Sequence, residues 1–142
     1  MKNNDPLAEF RSDPRTILVS AWIVLMLLYI YCDIFSLFRP GQLGSMMEGK
    51  MGFFAVTQIG LLLASLLMII PSMMIIFTAA APAKVARPAN LAAGALYLLV
   101  NVGNVAGETW GYYFLFAGLE MGLTVFIFVA ALRWPRGSEG AR

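Results

Sequence analysis

The residues of this chain best able to do chemistry are carboxylates, amides and phenols set inside otherwise apolar stretches. Asp33 follows Tyr29 by four residues in one stretch, so the two share a helix face. Glu120 lies about ten residues into another stretch, roughly mid-membrane at ~1.5 Å per residue. Gln58 opens a third, and Tyr97, Asn101, Asn104 and Glu108 follow one another at helical spacing through a fourth. Tyr113, Ala117, Glu120 and Thr124 form a similar line. Lipid penalises such groups, by about 2.5–3.5 kcal/mol for a charge at mid-depth, unless they have partners or a task. The chemistry open to them is proton transfer between two carboxylates and the anchoring of a small ligand's polar end.

Other chemistries are excluded or weakened by composition. Histidine is absent, which removes the commonest metal ligand and the usual general base. The single cysteine, Cys32, can form no internal disulfide and no Cys-rich zinc site. Beside Asp33 its thiolate is disfavoured, so a packed thiol is the plainer reading. The methionines, clustered as Met46-Met47 and Met73-Met74, lack a regular ladder and suit adaptable packing better than copper binding. No metal ligand set is expected, and no cofactor is named by the sequence. A net charge of +2, scattered along the chain, does not suggest nucleic acid.

A plainer role stands beside each candidate. Asn and Gln inside spans commonly bond neighbouring helices, for about 0.6 kcal/mol each. Ser65 and Ser72 can bond back to their own helix. Glu108, beside Gly107, can be a solvated loop acid, and Asp33 can be wet near an interface. Glu120 is hardest to explain this way, having no cation in its own stretch before Arg133.

The elements that must carry these residues follow from hydropathy. The chain is 60% hydrophobic and 13% charged, whereas a soluble domain is about half apolar and a quarter charged. Four stretches are each long enough to cross a bilayer: about 17–38, 54–80, 89–106 and 110–134. The expected architecture is all-α: a single transmembrane domain over 1–142 forming an integral membrane four-helix bundle. The first stretch is too long for a signal-peptide core and no small-x-small cleavage site follows, so it reads as a retained span. Asp13-Pro14 suits a helix start. Pro71 lies inside the second span, and a kink is expected between Leu67 and Pro71.

Basic residues orient the chain. Lys2, Arg11, Arg15, Lys84, Arg87, Arg133, Arg136 and Arg142 fall on one side of four crossings; Arg39 and Lys50 fall on the other. The positive-inside rule then puts both the N- and C-termini in the cytoplasm. The polar lines concentrate in the extracytoplasmic half, and turning them all inward would make a pocket lined by Asp33, Gln58, Asn101, Asn104, Glu108 and Glu120, with Tyr29 and Tyr113 beside it. Gly103 and Gly107, and Gly118 and Gly122, give small-xxx-small faces suited to close helix packing, within the bundle or between protomers. No internal repeat supports an inverted-repeat transporter.

The run Tyr29-Ile30-Tyr31-Cys32-Asp33 resembles an uncharacterised family of small bacterial membrane proteins with a Tyr-x-Tyr-Cys-Asp motif late in the first span. Arg39-Pro40, Ile69-Ile70-Pro71, Tyr112-Tyr113-Phe114 and Glu120 extend the likeness. Family members often carry a glutamate just before the second-span proline; Ile69 and Ile70 stand there instead, which argues against a carboxylate cluster reaching that span. The architecture is also similar to the DoxX-like group of four-span proteins, some of them membrane subunits of oxidoreductases. Fold likeness does not fix function. The resemblance implies a multi-pass protein of a bacterial inner membrane.

Three functional expectations remain open. The first is a pocket for a small apolar or amphipathic molecule, with any enzymatic chemistry being proton shuffling. The second is an accessory subunit of a larger membrane complex, or a homo-oligomer. The third is a proton-coupled transporter, disfavoured by the short chain and the absence of mid-depth basic residues.

Overall fold

The computed structural model describes residues 13–51 and 54–135. Lys2, Asp5, Glu9, Arg11, Gly52, Arg136 and Arg142 lie outside them. The described elements run in the order α1 (Pro14–Leu37), α2 (Gln42–Met47), β1 (Lys50–Met51), β2 (Phe54–Ala55), α3 (Gln58–Ala80), α4 (Ala83–Asn104) and α5 (Gly111–Leu132). Helices α1, α3, α4 and α5 are each long and apolar enough to cross a membrane. The protein is an all-α, multi-pass integral membrane protein built on a four-helix bundle. Besides its turns and loops, the one non-helical element among the described residues is the two-residue antiparallel pair β1–β2.

Local signals explain the ends. Asp13 caps α1 by accepting from the Arg15 amide, and Pro14 opens the first turn, where its missing N–H costs nothing. Gly41, at φ 79, makes the left-handed turn from α1 into α2. The second long helix starts later than the apolar run suggested: Phe54–Ala55 is strand, and Thr57 caps α3 by accepting from the Gly60 amide at 3.0 Å. The hairpin presses on that first turn, since a Cβ on Gly60 would come within 2.5 Å of the Ala55 carbonyl oxygen. Helix α4 starts earlier than expected, at Ala83, and takes Pro88 into its second turn. It ends at Asn104, so Glu108 lies in the following loop and not on the same helical face as Asn101 and Asn104.

Helix α1 packs against α3 and α5, and α4 packs against the same two. Thus α1 and α4 sit diagonally across the bundle. Large side chains fill the space between them: Leu18, Trp22, Leu25 and Tyr97 are fully buried, with Ile127 of α5 beside them. Helix α3 is the least embedded, burying only Pro71, Met74 and Thr78. Its remaining apolar face is open for lipid to cover.

Candidate functional site

The buried polar groups form a column along the α1–α4 diagonal. At the end carrying the chain termini, Trp22 Nε1 donates to Asn90 Oδ1 at 2.7 Å, and Asn90 Nδ2 donates to Ala86 O at 2.8 Å and to Thr78 Oγ1 at 3.0 Å. Every polar atom of Asn90 is thereby used, so this cluster ties helices together. Asn90 escaped the sequence reading, although it continues the Tyr97–Asn101 face at steps of four, three and four through Gly94.

Further along, the Tyr97 hydroxyl donates to the Leu67 carbonyl. That carbonyl is the one Pro71 cannot bond, four residues on. A tyrosine on α4 thus satisfies the gap that a proline opens in α3. Tyr97 also stacks edge-on against Trp22, with centroids 6.0 Å apart.

Above it, Tyr29 donates to Asn101 Oδ1 at 2.7 Å. Asn101 is fully buried, and its Nδ2 has no partner among the described residues. Glu120 is 5% exposed and its Oε1 is likewise unpartnered. Helix register brings these groups to one level. Gly94 of α4 abuts Phe128 of α5, and seven residues along each antiparallel helix from that contact bring Asn101 level with Met121, next to Glu120. Phe35 of α1 touches the rings of Tyr112 and Phe116 on α5. Six residues back from it, Tyr29 falls level with positions 118–122, which bracket Glu120.

Beyond this level the bundle opens. A cleft of about 860 Å³ lies between the end of α1, the short helix α2 and the α4–α5 loop. Asp33, Asn104, Glu108 and Tyr113 line it, with apolar walls from Ile34, Leu37, Met46 and Trp110. Arg39 dominates one side. Its guanidinium forks onto Glu108 at 3.1 and 2.9 Å, and its Nε donates to the Tyr112 hydroxyl. The ring faces of Trp110, Tyr112 and Tyr113 stand 5.1–5.5 Å from its central carbon. A directed chain continues from there: Tyr112 donates to Ser36 Oγ, which donates to the Cys32 carbonyl. Glu108 Oε1 also accepts from the Thr109 and Trp110 amides at the start of α5. Partial burial pushes the Glu108 carboxyl up, but Arg39 and these amides outweigh it, and its pKa lies below the usual carboxylate value.

Of the residues expected at a site, then, Asp33, Asn104, Glu108 and Tyr113 meet at the cleft. Tyr29, Asn101 and Glu120 are buried beneath it. Gln58 is exposed in the first turn of α3 and does not line the cleft. Ser65 and Ser72 bond the carbonyls of Leu61 and Met68 on their own helix. Gln58 and Ser65 are thus exposed, while Ser72 is half-buried and its hydroxyl also lies 3.7 Å from Met26 Sδ of α1, so the expected inward polar line on α3 does not form. Arg39, Trp110 and Tyr112 were not expected at the site; their part in it depends on the fold of the α4–α5 loop. A smaller groove of about 320 Å³ between α1 and α5, near the other end, has apolar walls with only Thr16 and Ser20 polar. Among the described residues no cluster of three or more His, Cys, Asp or Glu could hold a metal ion.

The chain belongs to the Family of unknown function (DUF6326), whose model matches residues 6–140. No curated protein and no solved structure matches it.

Proposed function

For this member of the family, we propose that the cleft binds a small apolar or amphipathic molecule that enters from the bilayer or the extracytoplasmic side. The observation that carries this reading is the cleft itself, about 860 Å³, where apolar side chains (Ile34, Leu37, Met46, Trp110) stand among polar ones that include Asp33, Gln42, Asn104 and Tyr113. That combination and size suit small-molecule recognition. Asp33 supports it further. The one ion pair among the described residues joins Arg39 to Glu108, which leaves the Asp33 carboxyl at the cleft with no salt-bridge partner. Arg39 is already committed to a carboxylate, a phenol and three aromatic rings, so the cleft offers no spare cation for an anionic ligand. The distribution of basic residues supports an orientation with both termini cytoplasmic, and the resemblance of the Tyr29–Asp33 run implies a bacterial inner membrane.

Native mass spectrometry of gently solubilised protein from its own host tests this. A bound small molecule of defined mass, lost from Asp33→Leu with the fold intact, is the expected result. A stoichiometric second protein with no small molecule would overturn it. One observation favours that second reading, an accessory subunit: Gly118 and Gly122 on α5 have nothing within 4 Å of where a Cβ would stand, so this small-residue face is unused inside the bundle.

A further inference from the structure

Beneath the cleft, an unpaired donor and an unpaired acceptor lie buried at one level of the bundle. Asn101 Nδ2 can only donate, and Glu120 Oε1 is free to accept. Burying a polar group without a partner is costly, and the cost is removed by whatever fills both valences. Asn101 cannot turn its amide to help itself, because Tyr29 holds its Oδ1 at 2.7 Å. Thr124, one turn from Glu120, spends its hydroxyl on the carbonyls of Glu120 and Met121.

The pair of valences selects among ligand groups. A metal ion or an ammonium would satisfy Glu120 but leave the Asn101 donor facing a positive charge. A carboxylate or phosphate would satisfy Asn101 but face Glu120. A hydroxyl donates to one and accepts from the other with a single atom. We propose that Asn101 and Glu120, with Tyr29 fixing the amide, seat the hydroxyl of an amphipathic alcohol whose apolar body occupies the cleft above. The cleft begins one to two turns above them: Tyr113 lines it and lies on α5 seven residues before Glu120, about 10 Å along the helix axis at ~1.5 Å per residue. Asp33 lines it one turn above Tyr29. This inference rests on the ligand-site reading and narrows its ligand to a neutral alcohol.

The full chain, purified in detergent, is titrated by native mass spectrometry with three twelve-carbon probes: dodecanol, dodecylamine and dodecanoate. The unaltered protein is read first, so the outcome does not depend on a variant folding. Dodecanol is expected to bind at least about tenfold tighter than either charged probe, the discrimination of roughly one satisfied polar pair. Asn101→Asp keeps the acceptor for Tyr29 and removes the donor, and Glu120→Met removes the acceptor; each is expected to abolish the preference. Equal affinities, a preference for the amine, or an alcohol preference unchanged in both variants would overturn the seat. Those results leave the cleft reading standing if a native small molecule is still carried. Failure of all three probes overturns the seat, and a native sample without any small molecule overturns the cleft reading as well.

Discussion

At the scale of single residues, one bond couples Tyr97 to a proline on another helix. Pro71 leaves the Leu67 carbonyl without its helical donor, and Tyr97 supplies one. Tyr97→Phe should destabilise the protein by about 1–2 kcal/mol, an exposed valence in a dry core. In a Pro71→Ala background, where the helix can close its own bond, the same change should cost clearly less. Reversible unfolding in mixed micelles would measure this cycle, and equal costs in both backgrounds would refute the coupling. The Arg39–Glu108 pair makes a second residue-scale prediction. Glu108 is held below its ordinary value of 4.5, so it adds stability above that pH and loses it as the pH falls through the lowered folded value. The stability gap between the unaltered chain and Glu108→Gln should therefore be constant near neutrality and shrink in acid below about pH 4.5. Some of this was legible beforehand. The Tyr113, Ala117, Glu120, Thr124 line predicted a face, and Ala117, Glu120 and Thr124 are buried on it. The Arg39–Glu108 pair was not legible, because its members are 69 residues apart and meet only once a loop turns back.

At the scale of elements, two arginines at the termini end close helices they do not belong to. Arg15 donates through Nη1 to the carbonyls of Thr78, Ala79 and Ala81 at 3.0, 3.2 and 2.7 Å, where α3 runs out of amides. Arg87 does the same for α5 through Ala131 and Leu132. A cation there also meets the negative end of the helix dipole. Arg15→Ala should cost about 1–2 kcal/mol and raise hydrogen exchange in the last turn of α3 more than elsewhere. Uniform exchange along α3 would count against the cap. Hydropathy alone finds the four helices but not their ends. Phe54, Ala55 and Val56 are apolar enough to read as span, yet the Thr57 cap starts the helix at Gln58, four residues later. The third apolar stretch was expected from about 89, yet α4 starts at Ala83 and takes Pro88 into its second turn, where the Lys84 carbonyl it leaves free belongs to an exposed residue.

At the scale of the whole molecule, charge and polarity divide the bundle into unlike ends. At the end where α1 starts and α5 stops, Arg15 and Arg87 cap helices and the Trp22–Asn90–Thr78 cluster is saturated. The other end holds the cleft and, with Asp33, a carboxylate without an ion-pair partner. A protein that receives a ligand from outside the cytoplasm needs this polarity, and the basic residues favour it. Positions on α2 and in the first turn of α4 distinguish the two possible orientations, since they lie near opposite ends of the same helix, α3. In a Cys32→Ala background, Ser45→Cys and Lys84→Cys each place one exposed thiol at a known end. Applied to intact cells, a membrane-impermeant maleimide should label Ser45→Cys and leave Lys84→Cys untouched until the membrane is opened. The reverse pattern would turn the cleft toward the cytoplasm. Any ligand of the proposed site would then come from the cell's interior.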